Sequence, residues 1–175
     1  IDRRPAVDYA AGQRVLINRE VQAAVIETSA RAILRDGLPY DRCAVGVVTD
    51  LGGAEQLAEY DVHDAEQMAR VLRTQVDVVL PDGVAVLHAA DERIAAMAEL
   101  CDGDVILYAA DAALPALAAH RARGGRAAFV RGGRLVFAQG ADESVVGPMP
   151  EADATAPTAV IHGGEVEVHP AGVRG

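Results

Sequence analysis

A chain of 175 residues is long enough for one domain with a sizeable buried core. Its formal net charge of −10 speaks against nucleic acid and anionic membrane surfaces as partners, because phosphate contacts need clustered basic side chains. Hydrophobic residues make up 51% but aromatics only 3%, so the core must come from Ala, Val, Leu and Ile, which suits a parallel sheet under alanine-rich helices.

Residues 1–13 carry charges, a proline and a glycine without periodicity and read as a loop, leading into a short helix near Arg14–Arg19. Val21–Ile26 has the pattern of a short apolar strand. Thr28 or Ser29 then caps a helix through Arg35, which Gly37 and Pro39 stop. Ala44–Val48 is the next strand. Asp64 caps a helix running to about Val79, with Met68, Val71, Leu72 and Val76 at helical spacing. Pro81-Asp82-Gly83 reads as a turn, Val84–Leu87 as a strand, Asp91–Leu100 as a helix with Ile94 and Met97 inward. Asp104–Tyr108 and Ala112–Arg123 complete the series as strand and helix.

Strands alternating with helices in this way specify right-handed βαβ units and a mostly parallel, Rossmann-like α/β sheet in three layers, with helices on both faces. The texture then changes. Ala127–Val130 and Leu135–Ala138 flank Gly132-Gly133, the pair a tight hairpin requires. The expected layout is an α/β domain over 1–125, its closing hairpin over 126–139, a flexible connector over 140–157, and a short hairpin and tail over 158–175.

Ligands of open α/β sheets bind at the carboxyl ends of the strands. Glu27 and Thr49-Asp50 stand there, where a metal or nucleotide would be handled. Lysine is absent, so a phosphate loop ending in Gly-Lys cannot occur in this sequence. Cys43 and Cys101 show no metal-ligand spacing and are expected to be reduced and buried, as in a cytoplasmic protein. The five histidines show no zinc spacing either. No apolar run approaches the ~20 residues a membrane span needs. The opening on Ile1 rather than methionine is expected of a fragment.

Glu27-Thr28, the helix ending Ile33-Leu34-Arg35-Asp36-Gly37-Leu38, and Asp41-Arg42-Cys43 resemble the Mur-ligase-like domain of cyanophycin synthetase. The similarity continues through Val45-Gly46-Val47-Val48-Thr49, Pro81-Asp82-Gly83-Val84-Ala85-Val86-Leu87, Ala95-Ala96-Met97-Ala98-Glu99 and His120-Arg121-Ala122-Arg123-Gly124-Gly125-Arg126. It covers roughly residues 12–138, in order and with similar spacing. The resemblance implies a cytoplasmic ATP-dependent amide ligase that adds aspartate and arginine to a poly-aspartate backbone, with ATP and Mg2+ as cofactors. It also implies an ATP-grasp domain elsewhere in the parent chain, and homo-oligomerisation is a further expectation.

Residue by residue, the resemblance makes Glu27 a magnesium ligand and places His88 and Asp91 where relatives recognise the nucleoside. Asp50 and Glu55 are the further carboxylates beside such a cation. Asp91 has a simpler role open to it, as cap of the helix that follows. The departures are specific. Ser29-Ala30-Arg31-Ala32 stands where relatives show Ala-Arg-Gly-Gly, which turns the arginine by about 100° on a helix. Gln56 replaces a histidine, and Leu72 a lysine that in Mur ligases holds a second magnesium. Each lost transition-state partner costs about 3–4 kcal/mol, so no residue stands out as catalytic and the segment is expected to be a non-catalytic scaffold. Two alternatives stay open: an ATP site completed by a phosphate loop upstream, and an unrelated α/β module for a small ligand.

Overall fold

The computed structural model describes residues 9–149 and places two further strands at 158–162 and 165–169. In chain order the elements are α1 (Tyr9–Leu16), α2 (Ala30–Asp36), β1 (Cys43–Val48), α3 (Ala65–Leu72), α4 (Thr74–Asp77) and β2 (Val79–His88). They continue as α5 (Glu92–Ala96), β3 (Asp104–Asp111), α6 (Pro115–Ala122), β4 (Arg126–Arg131), β5 (Arg134–Gln139) and β6 (Asp142–Pro148), with β7 (Thr158–His162) and β8 (Glu165–His169) last. Short 3-10 turns cover Ala54–Gln56, Ala58–Tyr60 and Met97–Leu100.

The expected α/β sheet is present, six strands in the order β1-β2-β3-β4-β5-β6. β1 to β4 run parallel, and β5 and β6 close it antiparallel. β7 and β8 pair antiparallel in a two-stranded sheet of their own. Because the parallel strands pair in sequence order, right-handed crossovers place α3–α4, α5 and α6 on one face. Side chains confirm this: Gly46 faces the Gln75 carbonyl of α4, and the Arg121 guanidinium of α6 lies over the Phe129 ring of β4. The core fills that interface with Val48, Ala85, Leu87, Val105, Leu107, Ala127 and Phe129 from the sheet, and Met68, Val76, Ile94, Met97 and Leu117 from the helices.

Local chemistry explains most helix ends. Ser29 Oγ accepts from the Ala32 N–H at 3.2 Å, and the Gly37 N–H closes α2 on the Ile33 carbonyl at 2.9 Å. Asp64 Oδ1 accepts from the Gln67 N–H at 2.8 Å to start α3. Pro115 occupies the first turn of α6, where its missing N–H costs nothing. Gly132 and Gly133, at φ 56° and 70°, make the β4–β5 turn as expected.

Five expectations need correction. The helix near Arg14–Arg19 lies earlier, at Tyr9–Leu16, so part of the expected opening loop is helical. Val21–Ile26 forms no strand: no neighbouring strand pairs with it, and Val25 is 89% exposed. The helix expected to reach Val79 ends at Leu72, resumes for Thr74–Asp77, and yields to β2 already at Val79, which is fully buried. Residues 142–148, expected within the connector, are the edge strand β6. Residues 1–8, 150–157, 163–164 and 170–175 of the expected loop, connector, hairpin and tail lie outside the described residues.

Pro81-Asp82-Gly83, read as a turn, falls inside β2 as an irregularity. Cys43 pairs with Val79 and Val45 with Val84, so two steps along β1 match five along β2 and the surplus residues bow out of the ladder. Among the described residues no helix is long and apolar enough to cross a membrane.

Candidate functional site

Asp50 follows β1, and His88 and Asp91 stand at and just after the end of β2, whereas Glu27, expected at the end of a strand over Val21–Ile26, follows no strand. At the end of β1, Asp50 turns back on its own loop. One carboxylate oxygen accepts from the Gly52 N–H at 2.9 Å and the other from the Thr49 hydroxyl at 3.0 Å. This is an Asx-type turn, and it occupies both oxygens with local donors. Glu55 stands exposed in the first 3-10 turn, and Glu27 stands exposed ahead of α2.

At the end of β2, His88 is half-buried and stacks on Tyr108 of β3, with ring centroids 5.0 Å apart and planes 25° apart. The two residues are direct cross-strand partners. Burial pushes the Tyr108 phenol up, and the Asp50 carboxylate nearby pushes it further. Tyr108 escaped the reading of the sequence, although its position in β3 opposite His88 is the signal that marks it.

Asp91 is engaged elsewhere. It caps α5 by accepting from the Arg93 N–H at 2.9 Å, and the Arg93 guanidinium closes on both of its oxygens at 3.0 and 2.7 Å. That side-chain bond, with help from the backbone bonds, holds the Asp91 carboxyl below the usual carboxylate range. His88 and Asp91 are thus held by different partners, Tyr108 and Arg93.

Arg31, one position off the resembled pattern, is also spent inside the chain. Its guanidinium donates to the Glu59 carboxylate and, at 2.5 Å, to the Gln56 carbonyl, and lies 5.9 Å from the centre of the Tyr60 ring. It fastens α2 to the loop that carries Glu55 and Gln56. Leu72 is buried in the core, consistent with the plain reading of its helical spacing.

Among the described residues no group of three or more His, Cys, Asp or Glu side chains is placed to hold a metal ion, so Glu27, Asp50 and Glu55 make no such group. Within this chain β1 to β4 run in order without a reversal. Two concavities lie elsewhere. One of about 420 Å³, lined by Ala44, Pro81, Asp82, Gly83, Asp104 and Arg126, sits at the amino ends of the strands. The other, about 590 Å³, lies beside α6 between Ala112, Arg121, Gly124 and Gly140.

Cys43 and Cys101 are free thiols, half-buried rather than fully buried, and burial pushes the Cys43 thiol up. A raised thiol is less nucleophilic at neutral pH.

No family model matches the chain. Curated proteins do. Cyanophycin synthetase of Synechocystis sp. is 34% identical over 175 aligned positions, spanning 91% of this chain and 20% of that protein. Cyanophycin synthetase of Crocosphaera subtropica is 44% identical over 91 residues, or 52% of this chain and 10% of the relative. The Nostoc sp. enzyme is 34% identical over 126 residues, 72% of this chain. The chain therefore spans between a tenth and a fifth of the length of these relatives. Extended identity of this order shows common descent: the chain is a cyanophycin-synthetase-related segment and belongs to that family.

Proposed function

We propose that this segment is the Mur-ligase-like part of a cyanophycin-synthetase-like, ATP-dependent amide ligase of the cytoplasm, and that it serves there as a non-catalytic scaffold. Residues 1–125 and the hairpin of 126–139 make up the Mur-ligase-like unit, and 158–175 is an appendage. ATP and Mg2+ would be handled by other parts of the parent chain, an ATP-grasp domain among them.

The observation that carries this reading is the fate of the strand-end residues. Asp50, Asp91 and Arg31 bond their own chain, each with named local partners. Such bonds turn these groups toward their own chain and leave fewer of their hydrogen-bonding sites for a nucleotide. The missing lysines weigh in the same direction, since a transferring phosphoryl group needs cationic partners.

The test is ATP hydrolysis by the purified 175-residue chain with Mg2+, aspartate and arginine, beside calorimetric titration with Mg-ATP. The expected result is no turnover and no binding heat. Steady turnover would overturn the scaffold reading. A rival reading, a working site completed by a phosphate loop elsewhere in the parent, is favoured by the exposure of Glu27 and by the ring platform of His88 on Tyr108. It is supported if the longer protein binds Mg-ATP and Glu27→Ala abolishes that binding.

A further inference from the structure

The β7–β8 ribbon has a pattern that neither the large sheet nor the proposed function uses. Its register pairs Thr158 with His169, Ala159 with Val168, Val160 with Glu167, Ile161 with Val166 and His162 with Glu165. Cross-strand partners share a face, and successive positions along a strand alternate between faces. Ala159, Ile161, Val166 and Val168 therefore occupy one face, and all four are apolar. The other face carries Thr158, Val160, His162, Glu165, Glu167 and His169.

Imidazoles and carboxylates dominate that second face. Alternation alone asks only that it be polar, which threonine or arginine would satisfy. Yet none of the chain's 16 basic residues lies within 158–169. Two carboxylates on one face, two residues apart, repel each other. The ribbon supplies no lysine or arginine to offset them, and a bound cation would.

We infer that this face of the ribbon binds a divalent transition-metal ion of the zinc class, held by His162, Glu165 and Glu167. Spacing selects these three. His162 and Glu165 are direct partners, about 5 Å apart, and Glu167 lies about 6.7 Å along β8 and about 7–8 Å diagonally from His162. His169 falls outside the set, because it stands about 13 Å along β8 from Glu165.

The donor chemistry names the class of ion. One imidazole nitrogen and two carboxylate oxygens suit zinc and its neighbours, whereas magnesium and calcium take oxygen ligands. Three protein donors leave the fourth tetrahedral position to water. No zinc spacing shows in the linear sequence because one donor comes from β7 and two from β8, so only the register brings them together. The ion would also stabilise the ribbon. Two strands alone are marginal in water, and a metal whose ligands come from both strands adds its binding free energy to their pairing. The inference draws on none of the strand-end residues of the large sheet and stands apart from the scaffold reading.

The experiment is calorimetric titration of the chelator-stripped 175-residue chain with Zn2+, and titration with Co2+ followed by visible absorption. The expected result is one ion per chain with micromolar affinity, the d–d bands of a tetrahedral cobalt site, and slower amide exchange across 158–169 once Zn2+ is bound. His162→Gln and Glu167→Gln should each weaken binding at least tenfold, since even an outer-shell partner is worth about 10–100-fold. Their far-UV circular dichroism should be unchanged, because the six-stranded sheet contains neither residue. His169→Gln should leave the affinity as it is. A stripped chain that takes up no stoichiometric Zn2+ overturns the inference. So does binding that survives both substitutions, or that is lost in His169→Gln instead, which would move the ion to the far end of the ribbon. Displacement of Zn2+ by an equal concentration of Mg2+ overturns it too, since the face would then be only an acidic surface. None of these outcomes bears on ATP turnover, so each proposal fails separately.

Discussion

Arg93 folds back on Asp91 two residues earlier, with Nε and Nη2 at 3.0 and 2.7 Å from its two oxygens, while its own N–H donates to the same carboxylate at 2.9 Å. Cap, ion pair and helix start thus share one side chain. Asp91→Ala should lower stability by about 1 kcal/mol, the usual cost of a lost N-cap, measured as the shift of a urea transition.

Acid should act on the same residue. A carboxyl held below its unfolded value of about 3.9 contributes stability that is fully present above that value and is lost as pH falls through the lower folded value. Asp91→Asn keeps a capping oxygen but not the charge. The wild-type advantage over Asp91→Asn should therefore be flat above pH 5 and vanish on acidification towards pH 2, followed by urea midpoints at each pH.

Arg31 reaches from α2 to Glu59, Gln56 and Tyr60 across the loop that follows β1. Its ion pair is half-exposed, so Arg31→Ala should cost no more than about 1 kcal/mol globally. The local effect should be larger. Amide hydrogen exchange across residues 54–60 should quicken in Arg31→Ala, and a double-mutant cycle with Glu59→Ala should give a coupling of about 0.5 kcal/mol.

Phe129 is 1% exposed, and the guanidinium groups of Arg121 and Arg131 lie 5.3 and 5.0 Å from its ring centre. Glu143 of β6 pairs with both arginines, and chiefly the Arg131 bond holds its carboxyl below the usual range. Phe129→Leu should cost about 1–2 kcal/mol and Phe129→Ala about 3–5 kcal/mol in thermal or urea unfolding. The alanine variant also removes the surface on which both arginines rest.

A Cβ added at Gly46 would meet the Gln75 carbonyl oxygen at 2.4 Å and Val79 Cγ2 at 2.8 Å. The first neighbour is backbone of α4 and cannot swing aside. Gly46→Ala should destabilise by about 2–3 kcal/mol, whereas Ala44→Gly, on the same strand but exposed, should cost under 1 kcal/mol.

The sequence carried the sheet wherever a strand's partner was another regular strand. Gly132-Gly133 announced the β4–β5 hairpin, and Asp64 and Ser29 announced their helices, because caps and turns are short-range chemistry. Val21–Ile26 misled because its apolar run describes a strand, while pairing depends on a neighbour that a local pattern cannot supply. Val79 misled in the opposite sense, since burial in the sheet overrode a helical period that continued past Leu72. At the candidate site, residue types were legible and their engagements were not. Nothing local says that Arg31 will hold a loop 25 residues onward, or that His88 will stack on Tyr108.

The strand order has a kinetic side. Every strand in the six-stranded sheet pairs with its neighbours in sequence, so no pairing waits for a distant part of the chain to arrive. Loop closure is the main entropic barrier to forming sheet contacts, and here each closure spans one connection. The antiparallel β4–β5–β6 meander needs only tight turns, so it can form early and template β3, then β2, then β1. Assembly should proceed from the carboxyl-terminal side of the sheet toward β1, the reverse of the order in which a ribosome delivers it.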